Sequence, residues 1–177
     1  ELPEQLKIDK FTNKLIDLPA AKFEKLKQSA VFNIAEIYFK RSEFDSAIIY
    51  FDKYINQFPD GQDWARSQQK KIDAEFSIGI SLLEKKDYSS AQTYFNSFIQ
   101  KYPNDNRLPI ILYTLAEIEF SAAEKIENIN KNNLNNPEII TKYEKTIELF
   151  KNLIQRYPNT DQARAAIIRA AQIYETK

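Results

Sequence analysis

Apolar residues recur every three or four positions along much of the chain. Within the segment 15–41, one such series consists of Phe23, Leu26, Ala30, Ile34 and Ile37. The segment 44–57 continues with a second series, and alternation of apolar and polar residues with a period of two is poor. Spacings of three and four place side chains on one face of an α-helix. The pattern therefore predicts amphipathic helices and an all-α fold.

Prolines divide this helical pattern. Three of them follow an aromatic residue at the end of an amphipathic run, in Phe58-Pro59, Tyr102-Pro103 and Tyr157-Pro158. Proline disrupts a helix and restricts the residue before it, so each dipeptide predicts a helix end. Asn136-Pro137 instead suits an N-cap followed by the first helical residue. We expect Pro19 and Pro109 to open helices as well.

Residue types recur at fixed distances before the three helix ends. A small residue lies twelve positions before each proline, at Ala47, Ala91 and Thr146. A phenylalanine lies eight positions before each proline, at Phe51, Phe95 and Phe150. An aromatic residue lies fifteen positions before each proline, at Phe44, Tyr88 and Tyr143. We infer an internal repeat of helix, short turn, helix and proline stop.

The third copy of this repeat contains a longer connection that is rich in asparagine. Its asparagines are Asn128, Asn130, Asn132, Asn133, Asn135 and Asn136. Such a segment cannot bury an apolar face, so we expect a solvated loop or a frayed helix end. A tolerated insertion is the favoured interpretation because added loop length costs little. A loop that contacts a partner is the alternative.

Composition argues against an enzyme. The 177 residues contain no Cys and no His, which removes thiol nucleophiles, histidine bases and the usual zinc ligands. The two glycines cannot form a glycine-rich phosphate loop. Lys+Arg and Asp+Glu both number 25, so no net charge favours nucleic acid or an anionic membrane. We therefore predict no catalytic residues, no cofactor and no metal site.

Two features concern processing and membranes. The sequence contains no Met, so we expect a processed or truncated form. A signal peptide, a lipid anchor and a further domain are the alternatives for what precedes Glu1. No run approaches 18 apolar residues, so we expect no transmembrane segment in this chain.

The repeat resembles the tetratricopeptide repeat (TPR), a helix–turn–helix unit of about 34 residues with small and aromatic signature positions. The matching residues of the first copy are Ile34, Ala35, Tyr38, Phe44, Ala47, Phe51 and Pro59. Those of the second copy are Ile78, Gly79, Leu82, Tyr88, Ala91, Phe95 and Pro103. Those of the third copy are Leu115, Ala116, Tyr143, Thr146, Phe150 and Pro158. Ala170, Ala171 and Tyr174 resemble the start of a fourth unit.

This resemblance implies a TPR-like α-solenoid, a right-handed superhelix of about three repeats and a C-terminal half-repeat helix. We expect repeats at about 23–61, 62–105 and 106–160 and a terminal helix at 161–177. Residues 1–22 would form an N-terminal extension or a helix that packs on the array. Small residues such as Ala47 and Ala91 would let paired helices approach, and Phe51 and Phe95 would fill the space between pairs.

The linkers are similar to those of bacterial cell-envelope TPR proteins of the BamD/CpoB type. The phrase aromatic-Pro-Asn, followed about a dozen residues later by a small-residue pair, occurs at Tyr102 and again at Tyr157. The first linker departs from the pattern, being longer and containing Trp64. The resemblance implies a periplasmic protein or lipoprotein of the bacterial envelope, with a role in outer-membrane assembly or envelope maintenance.

TPR geometry places a partner-binding groove on the first helix of each repeat. The positions that correspond here are Phe32, Glu36, Phe39, Phe76, Ile80, Leu83, Tyr113, Glu117, Phe120, Ile168 and Gln172. Their apolar character suits a helix or peptide segment of a protein partner. They depart from the Lys, Asn and Arg set with which TPR clamps hold acidic chaperone tails. Packing in the core, or beneath residues 1–22, is the alternative for the aromatic members.

Other hypotheses remain open at this point. Trp64 is either a secondary partner-binding anchor or a residue packed at a repeat junction. The chain could self-associate as a homo-oligomer, with its groove filled by another copy. Glu36 and Glu117 could form a glycosidase-like or carbohydrate-binding pair, which we disfavour because no nucleophile, base or cofactor motif accompanies them.

Overall fold

A computed structural model describes residues 19–129 and 136–176 of the chain. These ranges contain seven α-helices and no strand, so the predicted all-α, TPR-like fold class is confirmed. The helices are α1 (Ala20–Lys40), α2 (Phe44–Gln57), α3 (Trp64–Glu84), α4 (Tyr88–Lys101), α5 (Leu108–Ile129), α6 (Pro137–Arg156) and α7 (Asp161–Thr176). The helices divide between two compact units, Glu1–Ile78 and Gly79–Lys177, and α3 contributes to both.

The helices end where the prolines predicted. Helices α2, α4 and α6 each stop two residues before the proline, at Gln57, Lys101 and Arg156. The intervening aromatic residue forms the C-cap, and its backbone N–H still donates to the carbonyl four residues earlier, as Phe58 does to Tyr54. Asn136 caps α6, because its side-chain oxygen accepts a hydrogen bond of 2.9 Å from the Glu138 N–H.

The two short turns have the same backbone conformation. Ser42 between α1 and α2 has φ 59°, and Lys86 between α3 and α4 has φ 60°. Both values lie in the left-handed region that commonly ends a helix. Asp87, directly after this turn, caps α4 by accepting a hydrogen bond of 3.2 Å from the Ser90 N–H. Each turn is the short connection that the repeat of helix, turn and helix predicted.

Small residues bring α1 and α2 together in the first unit. Ala35 and Ala47 are completely buried, and so is Phe51, as their repeat positions predicted. Phe32 packs edge-on against Phe51 and Tyr54, with ring centroids 6.0 and 5.9 Å apart. The aromatic rings therefore fill the space that the alanines leave.

The second unit repeats this arrangement with one closer contact. Ala91 and Phe95 are buried as predicted, and Gly79 occupies the repeat position of Ala35. A Cβ added at Gly79 would lie only 2.7 Å from Cζ of Phe95. The helices α5, α6 and α7 complete the unit around a core that includes Ala116, Phe150, Leu153 and Ala166.

One predicted apolar series is not the buried face of its helix. Helix α1 buries Val31, Phe32 and Ala35, whereas the series that revealed the helix stays exposed. That series is Phe23, Leu26, Ala30, Ile34 and Ile37. The predictions for residues 1–18 and for the asparagines between 130 and 135 fall outside the described residues. The division into repeats at 23–61, 62–105, 106–160 and 161–177 stays a prediction.

Candidate functional site

The first unit groups an aromatic ring, a carboxylate and two cations on one side of α1. Glu36 and Phe39 lie one turn apart on α1, and both are half-buried. Helix α3 brings Lys70 and Arg66 beside them. The Lys70 ammonium lies 4.7 Å from the centroid of the Phe39 ring, within cation–π range. The Arg66 guanidinium lies at the same distance from the ring of Phe32.

The charges of this first site are close but not hydrogen-bonded. The Glu36 carboxylate lies 3.7 Å from the Lys70 ammonium and 3.9 Å from the Arg66 guanidinium. Both distances exceed those of a hydrogen bond. Within the described residues, buried Oε1 of Glu36 has no hydrogen-bond partner. The carboxylate therefore retains an unused acceptor, whose burial without a donor is unfavourable.

The second unit has a comparable group with tighter pairing. Glu117 of α5 accepts two hydrogen bonds from Arg169 of α7, 3.0 Å from Nε and 2.8 Å from the terminal nitrogen. The same guanidinium lies 4.6 Å from the centroid of the Phe120 ring. This two-pronged pairing is the strongest geometry between arginine and a carboxylate. The hydrogen bonds with Glu117 also raise the pKa of Arg169 above its ordinary value.

Tyr113 belongs to this second group. Its ring lies 5.6 Å from that of Phe150, and it is half-buried. Burial raises the pKa of the Tyr113 hydroxyl, and the charge and hydrogen bond of Glu117 raise it further. Tyr113 therefore stays protonated at neutral pH and remains a hydrogen-bond donor.

The other predicted groove residues occupy varied environments. Phe32 is 4% exposed and belongs to the core of the first unit. Phe76, Ile80 and Leu83 are half-buried on α3. Ile168 is 61% exposed, and Gln172, one turn further along α7, is exposed as well. The structure thus brings Glu36 near Phe39, and Tyr113, Glu117 and Phe120 together.

Trp64 packs at the start of α3. It is half-buried against the core of the first unit, and its indole N–H donates a hydrogen bond of 3.2 Å to the Ile55 carbonyl. The polar end of the ring is therefore already occupied within the protein.

Sequence reasoning missed the three cations Arg66, Lys70 and Arg169. A signal was present in two similar segments. Glu36 and Phe39 are three residues apart within Ala-Glu-Ile-Tyr-Phe, and Glu117 and Phe120 have the same spacing within Ala-Glu-Ile-Glu-Phe. That signal could have shown that the two sites are related. It could not have identified Arg169, which lies 52 residues beyond Glu117.

In residues 19–129 and 136–176, no three acidic side chains are grouped as metal ligands would be. Across the same part of the chain, no helix combines the length and the apolar character that crossing a bilayer demands.

The helical hairpins, their small-residue contacts and their aromatic signatures define a TPR-type helical-repeat protein. The chain belongs to the YfiO family of outer membrane lipoproteins, whose family model matches residues 24–176. A search of individual curated proteins gave no match. The predicted resemblance to BamD-type envelope proteins and the predicted location in the bacterial cell envelope are thereby confirmed.

Family membership also gives a coarse function. Members of the family are in general non-catalytic and are components of outer-membrane assembly. A role in assembly implies protein partners. An interaction role in the envelope follows.

Proposed function

We propose that this chain is a non-catalytic scaffold that binds a helix or peptide segment of a protein partner in an envelope complex. The observation that carries the proposal is the repeated group of aromatic ring, carboxylate and cation on the first helices. It occurs as Glu36, Phe39 and Lys70 in the first unit and as Glu117, Phe120 and Arg169 in the second. Finding the same group twice supports a binding role over incidental packing.

These groups suit a partner that is amphipathic. The half-buried rings offer apolar surface, and the charged groups beside them offer directional contacts at its edge. Exposed Ile168 and Gln172 would extend the surface of the second unit along α7. A helix that presents apolar side chains one turn apart matches such a surface.

The test compares two neighbouring isoleucines on α7. Ile168 is 61% exposed and Ile167 is 53% exposed, so aspartate at either position should leave the fold intact. We expect envelope extracts to yield a partner with the wild-type chain and with Ile167→Asp, and much less of it with Ile168→Asp. Circular dichroism checks that both variants fold. Equal capture by both variants would remove Ile168 from the binding surface.

A matched pair tests the first unit. Lys70→Ala removes the cation above Phe39, whereas Lys53→Ala removes an exposed cation of α2 that lies beside Tyr50. We expect only Lys70→Ala to weaken capture of the same partner. If neither unit responds, the proposed first-helix surface is wrong, although the family assignment stands.

Self-association is a second candidate function. The observation that favours it is the exposed apolar surface of α7, where Tyr174 is 63% exposed in addition to the two isoleucines. Light scattering over a concentration series tests this candidate, because a constant monomer mass excludes it.

A further inference from the structure

Helix α7 has two apolar faces, and the core of the second unit buries only one of them. The buried face consists of Ala163, Ala166 and Ile173. The other face, here called the end face, consists of Ile167, Ala171 and Tyr174, at spacings of four and three. All three are exposed, Ile167 by 53% and Tyr174 by 63%. With 3.6 residues per turn, the centres of the two faces lie roughly 90° apart, so a neighbouring helix can cover the end face beside the core.

The end face occupies repeat positions that are buried in other first helices. Ile167 corresponds to Val31 of α1, which is 8% exposed. Ala171 corresponds to Ala35 of α1 and Ala116 of α5, which are completely buried. Single apolar residues on a surface are ordinary, but a contiguous apolar surface is typical of a binding site. The repeat therefore indicates that the end face is a surface that another helix covers.

In α1 and α3, the second helix of the repeat covers these positions. Gly79 of α3 occupies the position of Ala171, and a Cβ added there would lie only 2.7 Å from Cζ of Phe95 on α4. Tyr38 of α1 occupies the position of Tyr174 and stacks on a tyrosine ring of α2, with centroids 5.4 Å apart. The small position therefore receives a phenylalanine ring, and the tyrosine position receives a second aromatic ring.

We propose that the end face binds an amphipathic helix of a partner protein that carries the side chains of a second repeat helix. Helices α2 and α4 share a small residue that is followed three and four positions later by tyrosine and phenylalanine. This set is Ala47, Tyr50 and Phe51 in α2 and Ala91, Tyr94 and Phe95 in α4. The phenylalanine of such a helix packs on Ala171, its tyrosine stacks on Tyr174, and its small residue permits close approach.

The side chains favour a partner over a second copy of the chain. A second α7 does not supply the required set, because Asp161–Thr176 contains no phenylalanine. Helices α2 and α4 have the set, but they already use it against α1 and α3. The inference does not depend on the proposed function, because Ile168 and Gln172 lie on a different face of α7 from Ile167.

A peptide with the sequence of α2, Phe44–Gln57, tests this surface in the full chain. It is stapled on its polar side, so that it is helical before it binds, and carries fluorescein for anisotropy. We expect saturable binding to the wild-type chain and to Ile168→Asp, and at least about tenfold weaker binding to Ile167→Asp. For the proposed first-helix surface the same two variants should give the opposite result, so failure of one proposal is distinguishable from failure of the other.

The matched control probe is the same peptide with Phe51→Ala, which should bind at least about tenfold more weakly because it lacks the ring that packs on Ala171. Absence of saturable binding by the unaltered peptide, or equal binding to both variants of the chain, would overturn the proposal. A dimer in light scattering that Ile167→Asp dissociates would assign the end face to a second copy and would also overturn it.

Hydrogen exchange shows where the peptide binds. We expect the bound peptide to slow amide exchange in α7, because the end face gains its cover, and to leave exchange in α1 unchanged. Slower exchange in α1 alone would show that the peptide has taken the place of α2. Either that result or unchanged exchange in α7 would contradict the proposal.

Discussion

Two segments of five residues, one in each unit, differ only at their fourth position. Ala35–Phe39 has Tyr38 there, and Ala116–Phe120 has Glu119. Tyr38 stacks on Tyr50 of α2, with ring centroids 5.4 Å apart and an interplanar angle of 24°. Glu119 instead accepts hydrogen bonds from Gln92, Lys142 and Lys145. One substitution therefore exchanges an aromatic contact for a polar network.

The shared glutamates of these segments differ as well. Glu117 is tied to one arginine by two hydrogen bonds, whereas Glu36 faces two cations that lie beyond hydrogen-bond distance. The two segments are otherwise identical, and the cations come from other helices, α3 and α7, so these helices account for the difference in pairing. The comparison shows that a repeat preserves its core while its neighbours determine the chemistry of its surface.

The largest expected effects test the part of the comparison that both units share. Phe51→Ala and Phe95→Ala each remove a buried ring from the same repeat position. Each variant should lower the free energy of unfolding by about 3–5 kcal/mol, through lost burial and the cavity that remains. Urea denaturation followed by circular dichroism measures this loss. If only one of the two variants loses this much free energy of unfolding, positions 51 and 95 are not equivalent in the repeat.

The polar network of the second unit should make stability depend on pH. Burial opposes ionisation of Glu119, but hydrogen bonds from Lys145, Lys142 and Gln92 outweigh it and hold the pKa of Glu119 below its ordinary value. The folded state therefore binds this proton less readily than the unfolded state. The resulting stabilisation is complete above the ordinary glutamate pKa of about 4.3 and is lost as pH falls through the lower folded pKa.

Glu119→Gln should therefore cost about 1–3 kcal/mol at pH 7. The cost should shrink as the pH falls below about 4, because the wild-type carboxylate is then protonated as well. Denaturation at a series of pH values measures both effects. Tyr38→Phe is the matched control in the first unit, since it keeps the ring and should change little. A pH profile of Glu119→Gln that parallels the wild type would contradict the role of the network.

Exchanging the cations tests the difference between the two glutamates. Arg169→Lys removes one of the two hydrogen bonds to Glu117 and should cost about 1 kcal/mol. Lys70→Arg should gain about 0.5 kcal/mol or less, because the longer side chain can donate to Glu36 at a partly exposed position. A double-mutant cycle with Glu117→Gln isolates the first effect. Equal changes at both sites would show that the two pairings are energetically alike.

The smallest expected effects concern the turns. Ser42→Gly and Lys86→Gly should each stabilise by less than about 1 kcal/mol, because glycine adopts the left-handed conformation without steric cost. Part of this gain is offset by the greater freedom of glycine in the unfolded chain. Thermal unfolding of each single variant measures the change. Destabilisation by either would show that its side chain contributes a contact that outweighs the strain.

Local sequence predicted much of the fold. The spacing of apolar residues predicted α1 and α2, and the three aromatic-Pro dipeptides predicted where α2, α4 and α6 end. The repeat positions also predicted buried Ala47, Ala91, Phe51 and Phe95. Such features are determined locally, because helical periodicity, proline geometry and side-chain size act within a few turns of the chain.

Part of the candidate site could be predicted in the same way. The repeat register selected Glu36 and Phe39, and it selected Tyr113, Glu117 and Phe120, which the structure brings together. The register also selected Phe32, which is in the core, because one helix position can face either the groove or the paired helix. Side-chain spacing alone does not distinguish these two environments.

The sequence by itself determined that the chain forms helical hairpins, that small residues lie where paired helices meet, and that helices end just before prolines. The tertiary structure decided which face of α1 is buried and which cation meets each glutamate. The pairing of Arg169 with Glu117 spans 52 residues, and no local pattern encodes it. Such a contact depends on how α5 and α7 pack against each other. The distance between two side chains on different helices is set by the folded chain and not by the sequence of either helix.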